Sequence, residues 1–246
     1  MQINQFLKDA AARTGFHVVR NYQNPSHTTM GLDCDRFGTV LDVGANRGQF
    51  AGWARGRFPK ADIHCFEPTP QAFADLKAWA AASSRIHAVQ LALGDQPGEL
   101  QMNLHTEHST SSSLLPTSAH CETLYPFTAA QAKVAVQVRR LDDYIDSLAQ
   151  PPEPEWLLKI DVQGFEMPVL RGAPQTLSRI RACIIEVSLD ELYLGQSSFS
   201  EVVALMAASG LQYAGNFQQM YDADGHVISL DAMFVRPTKP TGAATR

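Results

Sequence analysis

The sequence is poor in the features that mark specialised binding classes. It has four cysteines, Cys34, Cys65, Cys121 and Cys183, and no two of them form a CxxC pair. That spacing excludes the common zinc and redox motifs and gives no disulfide framework. Cys65 and Cys183 lie within the apolar runs IHCF and ACII, where a reduced thiol packs as a small hydrophobe. Positive charge is scarce too. Twenty Lys and Arg stand against 25 Asp and Glu, for a net charge of −5, and the one adjacent basic pair is Arg139–Arg140. Gripping a nucleic-acid backbone takes clustered cations that displace its counterions, so no nucleic-acid partner is expected. No apolar run approaches the roughly 20 residues that span a bilayer. No basic N-terminal stretch leads into an unbroken apolar core. The expectation is a chain with no membrane span or secretory signal, working in the cytoplasm and compatible with a homo-oligomer.

What is present is a regular alternation. From Thr39 onward, short apolar runs at Val40–Val43, Ile63–Phe66, Ile86–Leu91, Trp156–Ile160, Ile184–Val187, Gln212–Asn216 and Ala232–Val235 read as strands. Helical stretches separate them near Gly48–Arg57, Pro70–Ala82, Leu141–Leu148, Gly164–Arg171 and Phe199–Ser209. Strand, helix, strand in this order predicts a doubly wound α/β domain with a mostly parallel seven-stranded sheet and helices on both faces. Gly98–Leu104 and Val134–Val138 alternate like edge strands. They flank a piece rich in Ser, Thr and His, 105–132, which reads as a long lid loop. The expected layout is an N-terminal helical and irregular extension over 1–38, one domain over 39–237, and a disordered tail over 238–246.

The strongest motif is TVLDVGANRGQF, Thr39–Phe50. A strand ends in Asp42, turns through Gly44, Ala45, Asn46 and Gly48, and enters a helix whose free N–H groups face the sheet's carboxyl edge. Gly44 permits the sharp turn, and Gly48 lets a ligand or a strand approach the helix start. Asn46 occupies the middle glycine of the dinucleotide pattern G-x-G-x-x-G, where a pyrophosphate needs bare backbone. Asp42 would repel a pyrophosphate and suits an ammonium. CFEP ends the second strand in Glu67 and Pro68, at the distance where a carboxylate takes ribose hydroxyls. A nucleoside joined to an amino acid, without phosphates, meets all three conditions, and S-adenosylmethionine is such a molecule. LALGD places Gly94 and Asp95 after the third strand, where Asp95 is either an adenine acceptor or a turn residue.

The fourth strand runs into LKIDVQGFE. Lys159 and Asp161 share a face there, and Glu166 falls in the first turn of the next helix, where negative charge is favoured. Asp161 is either a capping residue or a base that orients the acceptor. Glu186 ends the fifth strand and could sit opposite it. His108 in the lid is a further candidate, as a base or a substrate contact.

LDVGANRGQF, FEP, LALGD, SSSLL, RLDDY and above all LKIDVQGFE, in this order, resemble the FkbM family of S-adenosylmethionine-dependent methyltransferases. The resemblance covers about Val40 to Val235. It implies a class I methyltransferase (Rossmann-like) fold and O-methylation of hydroxyls on sugars or complex natural products. By matching position it implies cofactor contacts at Asp42, Gly44, Asn46, Gly48, Glu67 and Asp95, with Asp161 and Glu166 on the acidic motif. Because an alcohol is a poor nucleophile, a general base or a metal is expected. Asp161 is the first candidate for the base, and Asp161 with Glu186 is the pair that could hold Mg²⁺. A nicotinamide-dependent oxidoreductase and a non-catalytic binding module share the fold and are the rival readings.

Overall fold

The computed structural model describes residues 3–16, 37–105 and 109–237. The His108 expectation, the 238–246 tail and Cys34 fall outside these residues. Helix α1 (Ile3–Arg13) lies in the N-terminal segment.

The strands read as apolar runs form one seven-stranded sheet, in the order β3-β2-β1-β7-β8-β10-β9. These are β1 (Thr39–Val43), β2 (Asp62–Phe66), β3 (Ile86–Val89), β7 (Trp156–Ile160), β8 (Ile180–Ser188), β9 (Gln212–Tyr221) and β10 (Val227–Val235). The first five are mutually parallel, and β10 enters antiparallel between β8 and β9. Central strands β1 and β7 are buried along their whole length, as an apolar run covered on both faces must be. One face is closed by α2 (Gln49–Arg57) and α3 (Pro70–Ala80), whose Ala51, Ala54, Leu76 and Ala80 pack on Val40, Ile63 and Leu157. The other is closed by α5 (Leu141–Asp146), α6 (Glu166–Arg171), α7 (Pro174–Arg179) and α8 (Phe199–Ala208), packed on Leu41, Leu158 and Ile185.

The two alternating stretches that flank the lid do not join this sheet. β5 (Gly98–Leu104) and β6 (Ala132–Arg139) pair antiparallel with each other, and the short β4 (Ala92–Leu93) adds on parallel to β6. The lid between them is more ordered than a long loop. It carries a 3₁₀ turn at Ser109–Ser111, helix α4 (Ala119–Leu124) capped by Ser118, and a second 3₁₀ turn at Pro126–Thr128.

The chain builds β1, β2 and β3 outward on one side, then returns to place β7 on the other side of β1. That reversal leaves a crevice above the carboxyl ends of β1 and β7, the place where open α/β sheets bind ligands.

Candidate active site

A cavity of about 260 Å³ occupies the crevice. Asp42, on β1, is buried in its wall, and its Oδ2 has no hydrogen-bond partner among the described residues. Burial pushes its carboxyl up to about 7, although Lys159 beside it pulls the other way. An unpaired buried carboxylate oxygen is costly, so this wall is built for a donor or a cation.

Gly44 and Gly48 both take left-handed backbone, at φ 81 and φ 91. A Cβ on Gly44 would lie 1.9 Å from the Asp161 carbonyl oxygen, so only glycine lets the ends of β1 and β7 abut. A Cβ on Gly48 would lie 2.9 Å from the Trp79 ring. The close approach here is that of α3, and Gly48 is not among the residues lining the cavity. Ala45 and Asn46 do line it. Asn46 is left-handed at φ 47 and works as a bridge, its N–H donating to Glu67 Oε2 at 3.0 Å and its Nδ2 to Ser109 Oγ of the lid at 3.1 Å.

Glu67 is buried at the end of β2, beside Pro68 in the same wall. Burial raises its pKa, while donors from Thr69 and the Asn46 N–H lower it. Thr69 gives Oε1 both its N–H, at 2.8 Å, and its hydroxyl. The sequence reading passed over Thr69; a short polar residue two places after a strand-end carboxylate was the available signal. Gly94 and Asp95 are not in the wall. Asp95 pairs with Arg171 at 3.4 Å, and the Gly94 carbonyl abuts Gly172 so closely that a Cβ there would lie 2.1 Å from it. Leu91, Ala92 and Leu93 line this end and make an apolar slot.

The acidic end is a row of charges across the sheet. Asp42 and Lys159 are register partners on β1 and β7, and Glu186 and Asp231 are partners on β8 and β10. Asp161 stands just past β7. Lys159 Nζ is 2.7 Å from Asp231 Oδ1 and 3.5 Å from Asp161 Oδ2. Burial alone would lower Lys159, but Asp161, Asp231 and Glu186 hold it above the usual lysine range. Burial would raise Asp161, yet Lys159 and hydrogen bonds from Glu186 and Gln163 bring it below the ordinary value. Glu186 is raised well above its ordinary value by burial and by Asp161. Within the pair, negative charge is favoured on Asp161 over Glu186. Asp231 was legible only as a lone charge in the apolar strand VISLDAMFV.

Gln163 ties this row to the lid. Its Nε2 donates to Asp161 Oδ1 at 2.9 Å and also to Glu186. Its Oε1 accepts from the Tyr193 hydroxyl at 2.8 Å, and that hydroxyl also lies 2.9 Å from the Ser111 carbonyl. Ser113 Oγ donates to the Gln163 carbonyl at 2.6 Å. The serine run of the lid is thus a staple onto the 161–164 turn. Glu166, by contrast, is buried and accepts from the Gly164 N–H at 2.9 Å, so it caps its own turn.

Residues 42–215 match a family model described as the methyltransferase FkbM domain. The 2-O-methyltransferase NoeI of Sinorhizobium fredii is 30% identical over 173 residues, which span 68% of this chain and 70% of that protein. The 31-O-demethyl-FK506 methyltransferase FkbM of Streptomyces tacrolimicus is 31% identical over 192 residues, or 70% of this chain and 71% of its own. A crystal structure of methyltransferase FkbM from Methylobacillus flagellatus superposes with a TM-score of 0.52 at 14% identity. It covers 83% of this chain, which spans 44% of that one.

Proposed function

The chain belongs to the FkbM methyltransferase family, and we propose that it methylates a hydroxyl of a sugar or another polyhydroxylated small molecule. The observation that carries this reading is one cavity with an unpaired carboxyl oxygen of Asp42 at one wall and Asp161 at another. The residues present suit S-adenosylmethionine. Asp42 would hold the ammonium, Glu67 the ribose hydroxyls, and the Leu91–Leu93 slot the purine. When bound, S-adenosylmethionine supplies a methyl group made electrophilic by its sulfonium. The relatives, a 2-O-methyltransferase and a 31-O-demethyl-FK506 methyltransferase, support oxygen as the acceptor atom. Residues 39–237 form the methyltransferase domain in this reading, with 1–38 as an extension.

Asp161 would accept a hydrogen bond from the acceptor hydroxyl and so fix the direction of its oxygen. Fixing that direction supplies much of the acceleration. Its lowered pKa makes it a weak base, so it takes the proton late, once the acceptor oxygen has become acidic. Lys159 already pairs with Asp161, one of the two carboxylates that would hold a divalent ion, and among the described residues no three His, Cys, Asp or Glu are grouped to hold a metal. The reaction is therefore proposed to run without Mg²⁺.

Mass spectrometry of the purified protein should find S-adenosylmethionine or its demethylated product. Asp161→Asn should lower turnover by roughly 10²–10⁴-fold with cofactor affinity little changed, and a chelator should leave wild-type turnover unaltered. Turnover unaffected by Asp161→Asn would remove Asp161 from the chemistry, and loss on chelation with recovery in magnesium would restore the metal.

A further inference from the structure

A second cavity, of about 270 Å³, lies behind the lid. It shares Thr110, Asp161 and Gln163 with the first, so Asp161 faces both. Its inner wall is polar, with Glu186, Ser188 and Ser229 beside Asp161. Its outer wall is apolar. Tyr125 and Phe127 of the lid, with ring centroids 5.8 Å apart, stand there with Leu192 and Met220. Among the described residues no Lys, Arg or His lines it, and its acidic groups are the carboxyls of Asp161 and Glu186.

Resting on the methyl-transfer reading, we propose that this cavity is the acceptor site, and that its occupant is an uncharged ring with a hydroxylated edge and an apolar face, such as a neutral glycoside. The hydroxylated edge meets the carboxyl and serine wall, and the apolar face lies on Tyr125, Phe127 and Met220. A sugar phosphate or nucleotide-linked sugar is excluded. Its phosphate would be desolvated beside Asp161 and Glu186, with no cation among the described lining residues to offset that burial.

The test uses methyl-labelled S-adenosylmethionine, the full chain and a small-molecule extract of the source cells, separated on an anion exchanger into neutral and anionic fractions. The label should appear in the neutral fraction. Tyr125→Ala removes an aromatic contact, and Met220→Trp narrows the mouth at a side chain that is already half exposed. Each should cut labelling about tenfold, with calorimetric affinity for S-adenosylmethionine within about twofold of wild type. Label in the anionic fraction, label undiminished in both variants, or no labelled product from an enzyme that binds S-adenosylmethionine would overturn the proposal. Failure of the wild type to bind S-adenosylmethionine would instead overturn the cofactor reading beneath it.

Discussion

At Asp42, burial holds a carboxyl group at about 7 in place of the ordinary 3.8. Between those two values the folded chain keeps a proton that the unfolded chain has released, so this group makes the fold less stable as pH rises through that window. A bound ammonium reverses the preference, because it favours the charged form. Cofactor binding near neutral pH should therefore release a proton, and affinity should fall by about tenfold per unit as pH drops below 7. Calorimetry in buffers of different ionisation enthalpy measures both. Asp42→Asn should bind more weakly and show no such pH dependence; a wild type that releases no proton between pH 6 and 7 would remove Asp42 from the ammonium site. Asp42 and Glu67 were legible in the sequence because each is a charge placed at the end of an apolar run. Gln163 and Tyr193 were not, since their meaning lies in contacts between residues 30 positions apart.

Among the elements, the loop after β1 and the strand β7 depend on each other through Gly44. Ala at this position would force left-handed strain and push a methyl group into the Asp161 carbonyl oxygen. The two strand ends would have to part, and the cost should exceed about 4 kcal/mol, in the range reserved for gross steric conflict. Gly56 is the contrast. It lies within α2, and a Cβ there meets nothing within 4 Å, so Gly56→Ala should stabilise by about 0.5–1 kcal/mol. Urea unfolding of the two variants checks both signs, and a Gly44→Ala protein of wild-type stability would refute the abutment. The long elements were readable because apolar periodicity reports burial directly. The β4–β6–β5 sheet was half readable: alternation showed β5 and β6, but nothing local announced that a two-residue strand would pair with them. Helix α4 was hidden because it is six residues long and half polar, and a Ser cap is its main local signal.

At the scale of the whole molecule, the reversal of strand order puts the cofactor cavity astride the two halves of the sheet. A ligand held there by Asp42 and Glu67 at one end and walled by Asp161 at the other bridges both halves, and binds only the folded chain. At a ligand concentration 100 times its dissociation constant, the linkage is worth about 2.7 kcal/mol. S-adenosylhomocysteine should accordingly raise the thermal midpoint by roughly 5–10 °C in a domain of this size. A midpoint indifferent to ligand would mean that the crevice does not hold it. Beyond the shared Thr110, Asp161 and Gln163, the two cavities draw on different residues. The first takes its polar groups from β1 and β7, from the turns after β1, β2 and β7 and from the 109–112 part of the lid, while Tyr125, Phe127 and Met220 of the second come from the far end of the lid and the outer strand β9. Substitution at Tyr125, Phe127 or Met220 therefore leaves the methyl-donor apparatus untouched. Divergence among descendants of such a protein, or a laboratory library confined to those three positions, can search for new acceptors while every member inherits the same chemistry.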